Sequence, residues 1–244
     1  MRMNNYCIIS TGSKQESIIS AAINISNFLD TAKTKKQSVL FLSSGGSVLE
    51  ILNNIPKENL GEFLTMGMLD ERYSLLDSVN NFAQFTKLEF YANCLTSAVK
   101  FVDSRIQTNE TSEQLCSRLN LAFHDWKVNN PKGLILLTLG LGSDGHTEGI
   151  MPYPEAPEFF KKTFIEAPEY FVSYNAGDKN PYPLRVTATF KIVLESELLI
   201  LLANGIEKKP ALIKALDANF DLATTPADII TKAKNAFIYT DQTL

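Results

Sequence analysis

"LGLGSDGHTEGIMP", residues 139–152, follows "GLILLTL" (133–139), a run of strand length that is apolar apart from Thr138. Gly140, Gly142 and Gly145 spell a Gly-x-Gly-x-x-Gly pattern. On a strand-to-helix turn that pattern cradles the pyrophosphate of a dinucleotide. Such a reading requires a helix straight after the third glycine. Here the chain continues with His146 and Gly149, then with prolines at 152, 154 and 157, which leave no room for a helix of useful length. The motif also lies in mid-chain and not on the first strand. The stretch is read instead as a buried strand followed by a flexible glycine loop that presents Asp144 and His146. An imidazole accepts a proton from water near neutral pH, which suits it to general-base chemistry.

Working outward, four more apolar runs have strand length: "SVLFLS" (38–43), "FLTMGML" (63–69), "ELLILLA" (197–203) and "AFIYT" (236–240). Most are continuously apolar, as strands covered on both faces are. Helical segments alternate with them. In "SEQLCSRLNLAFHDWKV" (112–128), Leu115, Leu119, Ala122, Phe123 and Trp126 form one apolar stripe, with His124 on its polar side. The segment 224–234 predicts a helix with Thr225 as cap, Pro226 at the first position and Asp228 in the first turn. The alternation predicts an α/β fold: a single domain over residues 1–244 with a mostly parallel sheet and helices on both faces, three layers in all. Ligands of such sheets bind beyond the C-terminal ends of the strands.

Two further strand ends carry polar chemistry. "SSGGSVLE" (43–50) places Gly45 and Gly46 between a strand and a helix, with Ser44 and Ser47 as hydroxyl donors. This suits either an anion cradle or a tight turn with no ligand, and it lacks the Gly-Lys-Ser/Thr ending of a nucleoside-triphosphate loop. "MLDERYS" (68–74) puts Asp70, Glu71 and Arg72 at the mouth of the sheet, as site residues or as solvated loop charges. Arg185, in the strand-like "PLRVTATF" (183–190), and Lys208, in "NGIEKKP" (204–210), are ordinary surface cations or members of a phosphate pocket.

The balance of 23 basic against 27 acidic residues argues against a nucleic-acid surface but permits a local anion site. With two histidines, and Cys7, Cys94 and Cys116 far apart, no metal site is expected and the thiols are read as reduced. The first 17 residues hold no sustained apolar run and nothing reaches membrane-span length, so a cytoplasmic protein without membrane association is expected.

At these same residues the chain resembles the 6-phosphogluconolactonases, relatives of the glucosamine-6-phosphate deaminases. The family's signatures appear in order: Ser-Gly-Gly-Ser at Ser44–Ser47, Asp-Glu-Arg at Asp70–Arg72, Gly-x-Gly-x-Asp-Gly-His-Thr at Gly140–Thr147, Arg-x-Thr at Arg185–Thr187 and Gly-x-x-Lys at Gly205–Lys208. The resemblance implies a single Rossmann-like domain and hydrolysis of 6-phospho-D-glucono-1,5-lactone in the oxidative pentose phosphate pathway, with no cofactor, no metal and a small sugar phosphate as the only partner; a monomer is compatible with it. It implies His146 as base, Arg72 at the developing oxyanion, Asp70 orienting substrate or water, and Asp144 holding the loop. Ser44, Gly45, Gly46, Ser47, Arg185 and Lys208 would grip the phosphate. The chain departs from the pattern at Val48-Leu49, Tyr73-Ser74-Leu75, Asn80-Asn81 and Glu148-Gly149. The deaminase relatives resemble Asp-Glu-Tyr where this chain has Arg72, and carry a glutamate where it has Met151. An amino-sugar-phosphate deaminase or isomerase, or a non-catalytic sugar-phosphate sensor, stands as the alternative.

Overall fold

The computed structural model describes residues 5–217, 219 and 221–244. Ten strands occur among them: β1 (Tyr6–Ser10), β2 (Val39–Ser43), β3 (Leu64–Met68), β4 (Asp70–Arg72), β5 (Lys100–Phe101), β6 (Leu134–Gly140), β7 (Phe171–Asn175), β8 (Leu184–Ala188), β9 (Leu198–Leu202) and β10 (Ala236–Thr240). Seven form one sheet in the order β1-β10-β9-β6-β2-β3-β5, every pair parallel. The other three form a small antiparallel sheet, β4-β8-β7.

The apolar runs are continuous because the large sheet is covered on both faces. Successive side chains of a strand point to opposite sides, and the two cores divide accordingly. Val39 and Phe41 of β2, Leu136 of β6 and Ile200 of β9 pack with Ile18, Ile25 and Leu29 of the helix Lys14–Thr34. Leu40, Leu42, Leu137, Leu139, Leu199 and Leu201 pack with Leu115, Leu119, Phe123 and Trp126 of the helix Ser112–Asn129. Each such side chain contributes about 1.5–3 kcal/mol by leaving water. Thr111 and Gln114 close a reciprocal cap at the start of the second helix. The expected three-layer α/β fold is present. His124 lies exposed on that helix, away from the strand ends.

The topology fixes where a ligand can sit. From β2 the chain proceeds through β3 to β5 on one side, whereas β6, on the other flank of β2, leads toward β9 and β10. The loops leaving β2 and β6 therefore diverge and open a crevice between them. Ser44 N–H donates to the Thr138 carbonyl at 2.8 Å, and the Thr138 and Ser43 hydroxyls meet at 2.9 Å, which ties the two strand ends together.

Two local expectations are corrected. Asp70–Arg72 does not prolong β3; it turns out of the large sheet and pairs with β8, where Asp70 meets Arg185. The helix expected after Gly45–Gly46 is present but short, a single turn of 3₁₀ helix (Gly46–Val48) followed by Leu49–Leu52. The segment 224–234 is a 3₁₀ helix over Pro226–Lys232 with no side-chain cap from Thr225. There Asp228 is held by Lys232 and by the Thr231 hydroxyl.

Candidate active site

The β6 loop is not slack. Gly142 N–H donates to the His146 carbonyl (2.8 Å), Gly145 N–H to the Gly142 carbonyl (3.0 Å), and the Thr147 hydroxyl to the Gly140 carbonyl (2.8 Å). Ala227 N–H reaches the Gly145 carbonyl at 3.1 Å, so the Pro226–Lys232 turn braces the loop from outside. Within it, Asp144 Oδ1 lies 2.6 Å from His146 Nδ1 and 3.1 Å from His146 N. Only a glycine fits at 142, since a Cβ there would collide with the imidazole and come 2.5 Å from Asp144 Oδ1. Burial opposes the charge on Asp144, but the hydrogen bond and charge of His146 and its backbone N–H outweigh this and bring the carboxyl down to about 2. An ionised Asp144 accepts only, so Nδ1 carries a proton, and in the neutral tautomer of the ring the lone pair is on Nε2. Asp144 thus orients the ring as well as holding the loop.

The small sheet supplies the second wall. In its antiparallel register Arg72 lies opposite Arg185 and Asp70 opposite Thr187. Side chains on alternate residues share a face, so these four present one polar surface while Glu71 and Val186 point the other way. Arg185 Nη2 donates to Asp70 Oδ2 at 2.5 Å, and both side chains are buried. Removing one partner of such a pair costs about 3–5 kcal/mol. Asn81 Nδ2 donates to the Asp70 carbonyl (3.0 Å) and to Oδ2 (3.3 Å). Glu71, on the far side, accepts from the N–H groups of Arg72, Asn81 and Phe82 and from the Ser104 hydroxyl. Burial nevertheless pushes its carboxyl up to about 7.

The two walls enclose a cleft of about 180 Å³ over the β2–β6 crevice. Ser44, Gly45, Gly46, Ser47, Asp70, Arg72, His146, Arg185 and Lys208 all line it. Asp144 joins them through His146. Among the described residues, neither Arg72 nor Lys208 belongs to an ion pair; the Arg72 guanidinium rests 5.8 Å from the centre of the Tyr182 ring. A wider groove of about 380 Å³ contains Arg105 and Arg118, but these are already paired with Asp103 and Glu110. Of these two, the smaller cleft is the one whose cations are uncommitted. No group of three or more His, Cys, Asp or Glu among the described residues is arranged to hold a metal ion.

Two residues of the cleft escaped the sequence reading. Asn81 was visible only as half of a displaced pair, and Glu148 only as a departure from the family pattern. Glu148 is wholly buried, and burial, then the charge of Asp70, push its carboxyl well above the usual range. Nine buried side-chain N or O atoms among the described residues lack a hydrogen-bond partner, and five of them belong to cleft residues: Ser44 Oγ, Asn81 Oδ1, both Glu148 oxygens and Arg185 Nε. Buried polar atoms are ordinarily satisfied, so the cleft concentrates the hydrogen-bonding capacity that the protein leaves unused.

The family profile described as glucosamine-6-phosphate isomerases/6-phosphogluconolactonase matches residues 12–239. The chain belongs to this family. Among curated relatives, a glucosamine-6-phosphate deaminase of Clostridium acetobutylicum is 26% identical over 226 residues, 85% of this chain and 87% of that protein. Solved 6-phosphogluconolactonases share the fold of this family member. That of Plasmodium vivax superposes with a TM-score of 0.77 at 15% identity, covering 98% of this chain and 92% of the other. The Trypanosoma brucei structure gives 0.74 at 18% identity, and the Shewanella baltica structure 0.73 at 17%, each covering 98% of this chain and 97% of the other. No helix among the described residues is long and apolar enough to cross a membrane.

Proposed function

We propose that this protein is a 6-phosphogluconolactonase, hydrolysing 6-phospho-D-glucono-1,5-lactone to 6-phosphogluconate as a single catalytic domain. The observation that carries this reading is His146, held 2.6 Å from Asp144 and lining one cleft with two cations that have no carboxylate partner. His146 Nε2 takes a proton from water as the water oxygen bonds to the lactone carbonyl carbon. Arg72 answers the negative charge that develops on the carbonyl oxygen. The ring C–O bond then breaks, and the ring oxygen takes the proton back from His146, leaving a carboxylic acid and a hydroxyl. Asp70, fixed by Arg185 and Asn81, orients substrate hydroxyls or the water. Lys208, the Ser44–Ser47 loop and Arg185 Nε hold the phosphate, and that remote grip positions the carbonyl. No cofactor enters this scheme. The three free cysteines fit a reducing, cytoplasmic setting.

The deaminase of C. acetobutylicum supports a second reading, action on an amino-sugar phosphate. Against it stands Met151, five residues after His146. There the deaminase pattern has a glutamate, and here the side chain is buried in the core. The test is hydrolysis of freshly generated 6-phosphogluconolactone, with the spontaneous rate subtracted. Acceleration by the wild type that falls at least about 10²-fold in His146→Ala, with 6-phosphogluconate binding retained, is the expected result. Release of ammonia from glucosamine 6-phosphate without lactone hydrolysis would overturn it.

A further inference from the structure

Glu148 takes no part in the chemistry above, yet its setting is unlike that of a loop glutamate. Neither carboxyl oxygen has a partner, and the side chain lines the cleft with His146 and Arg72. Its backbone is in the left-handed region, φ +41°, which a residue with a side chain rarely adopts. The surrounding protein imposes this. The Thr187 hydroxyl donates to the Glu148 carbonyl, and the Tyr174 hydroxyl to the Gly149 carbonyl at 2.5 Å. Gly149 presses so close to Asp70 that a Cβ on it would lie 2.7 Å from Oδ2. Strain of this kind persists where packing over-determines it, and it gathers at ligand clamps.

From this geometry we infer that Glu148 is a specificity-determining residue, its carboxyl hydrogen-bonding the hydroxyl-bearing carbon chain of the bound sugar phosphate while the cations answer the phosphate. The inference rests on the sugar-phosphate reading of the cleft. Phosphate oxygens mainly accept, as one carboxyl oxygen always does, whereas each sugar hydroxyl both donates and accepts and so pairs with the carboxyl in either role. A phosphorylated chain without hydroxyls leaves both oxygens buried and unpaired, and a site of that kind discriminates strongly.

The test measures calorimetric binding of glucitol 6-phosphate, hexyl phosphate and inorganic phosphate to the full chain and to Glu148→Met and Glu148→Gln. Wild type is expected to bind glucitol 6-phosphate about tenfold or more tightly than hexyl phosphate, the value of one well-made hydrogen bond to a buried group. Glu148→Met should erase that difference and leave inorganic phosphate unaffected, without lowering the melting temperature. Glu148→Gln, which still donates and accepts, should keep most of it. Equal wild-type affinity for the two phosphorylated chains would overturn the inference, even if neither variant folds. So would a Met variant that keeps the preference, or one that loses inorganic phosphate to the same degree. Lactone hydrolysis is scored separately: wild type that prefers the polyol phosphate but leaves the lactone untouched sinks the proposed reaction and not the role of Glu148.

Discussion

Replacing Asp144 by asparagine removes one charge and little else, which makes it the sharpest probe of the base. The carboxylate makes two contacts, to Nδ1 at 2.6 Å and to the backbone N–H at 3.1 Å. Both are made by Oδ1, so an asparagine oxygen in that position can keep both. What it cannot keep is the charge that favours a proton on Nδ1 and stabilises the imidazolium formed when water is deprotonated. A charge-assisted hydrogen bond is worth about 1.5–3 kcal/mol. The Asp144 side chain is half exposed, 50%, so water screens it and the lower part of that range applies. The expected loss in kcat is therefore about tenfold to fortyfold, with KM for the lactone nearly unchanged because no phosphate contact is touched. The assay is initial-rate lactone hydrolysis, corrected for spontaneous opening, on protein of unchanged melting temperature. The sign of the pH dependence follows from the same pair. Asp144 is held at about 2 against an ordinary 3.8, so its support is complete above about pH 4 and is lost only as pH falls toward 2. A variant within about threefold of wild-type kcat, or one whose loss lies wholly in KM, would refute the positioning argument.

Two other perturbations separate binding from stability. Lys208→Ala should weaken inorganic phosphate and 6-phosphogluconate by about tenfold in calorimetry, the worth of one charge-assisted contact, while affinity for unphosphorylated gluconate stays the same. Glu71 should make the folded protein less stable as pH rises, because its carboxyl goes from 4.5 unfolded to about 7 folded and the native state binds the extra proton. Between pH 5 and 8 the stability of wild type relative to Glu71→Gln should fall by up to about 3 kcal/mol, read from urea midpoints; a flat difference would show that its four donors hold it ionised throughout.

The large sheet was legible because burial on both faces writes itself into composition: β2 and β9 are buried at every position, β9 reading as an unbroken apolar run and β2 as one that stops only at Ser43. The small sheet was not. A three-residue strand made of Asp, Glu and Arg has no hydrophobic period, and its partner β8 lies more than a hundred residues away, so only tertiary pairing defines it. The same distinction runs through the site. Loops at strand ends could be found from glycines and charges, and they do converge on one cleft. Which oxygen meets which nitrogen could not be read: the grouping of Asp144 with His146 rather than with the loop alone, or of Arg185 with Asp70 rather than with solvent, depends on angles that residue types do not encode. Glu148 is the extreme case, for a glutamate between a threonine and a glycine reads as solvated until Thr187 and Asp70 close over it.

The two sheets divide the lining of the cleft between them. The parallel sheet supplies the glycine loops, His146 and Lys208, all beyond its strand ends. The antiparallel sheet supplies Asp70, Arg72 and Arg185, whose register decides which charges face the ligand. A one-residue slip of β4 against β8 would turn Glu71 into the cleft and bury Asp70 and Arg72 beneath it, so the Asp70–Arg185 bond acts as a register pin as well as an ion pair. Between the sheets runs the short stretch Thr147–Gly149, bonded to Gly140 on one side and to Thr187 and Tyr174 on the other. A side chain placed on that bridge enters the cleft with its backbone already fixed. On the reading proposed for the cleft, a substitution there would change what the pocket recognises while leaving the Asp144–His146 pair in place, and in this chain the position is held by Glu148.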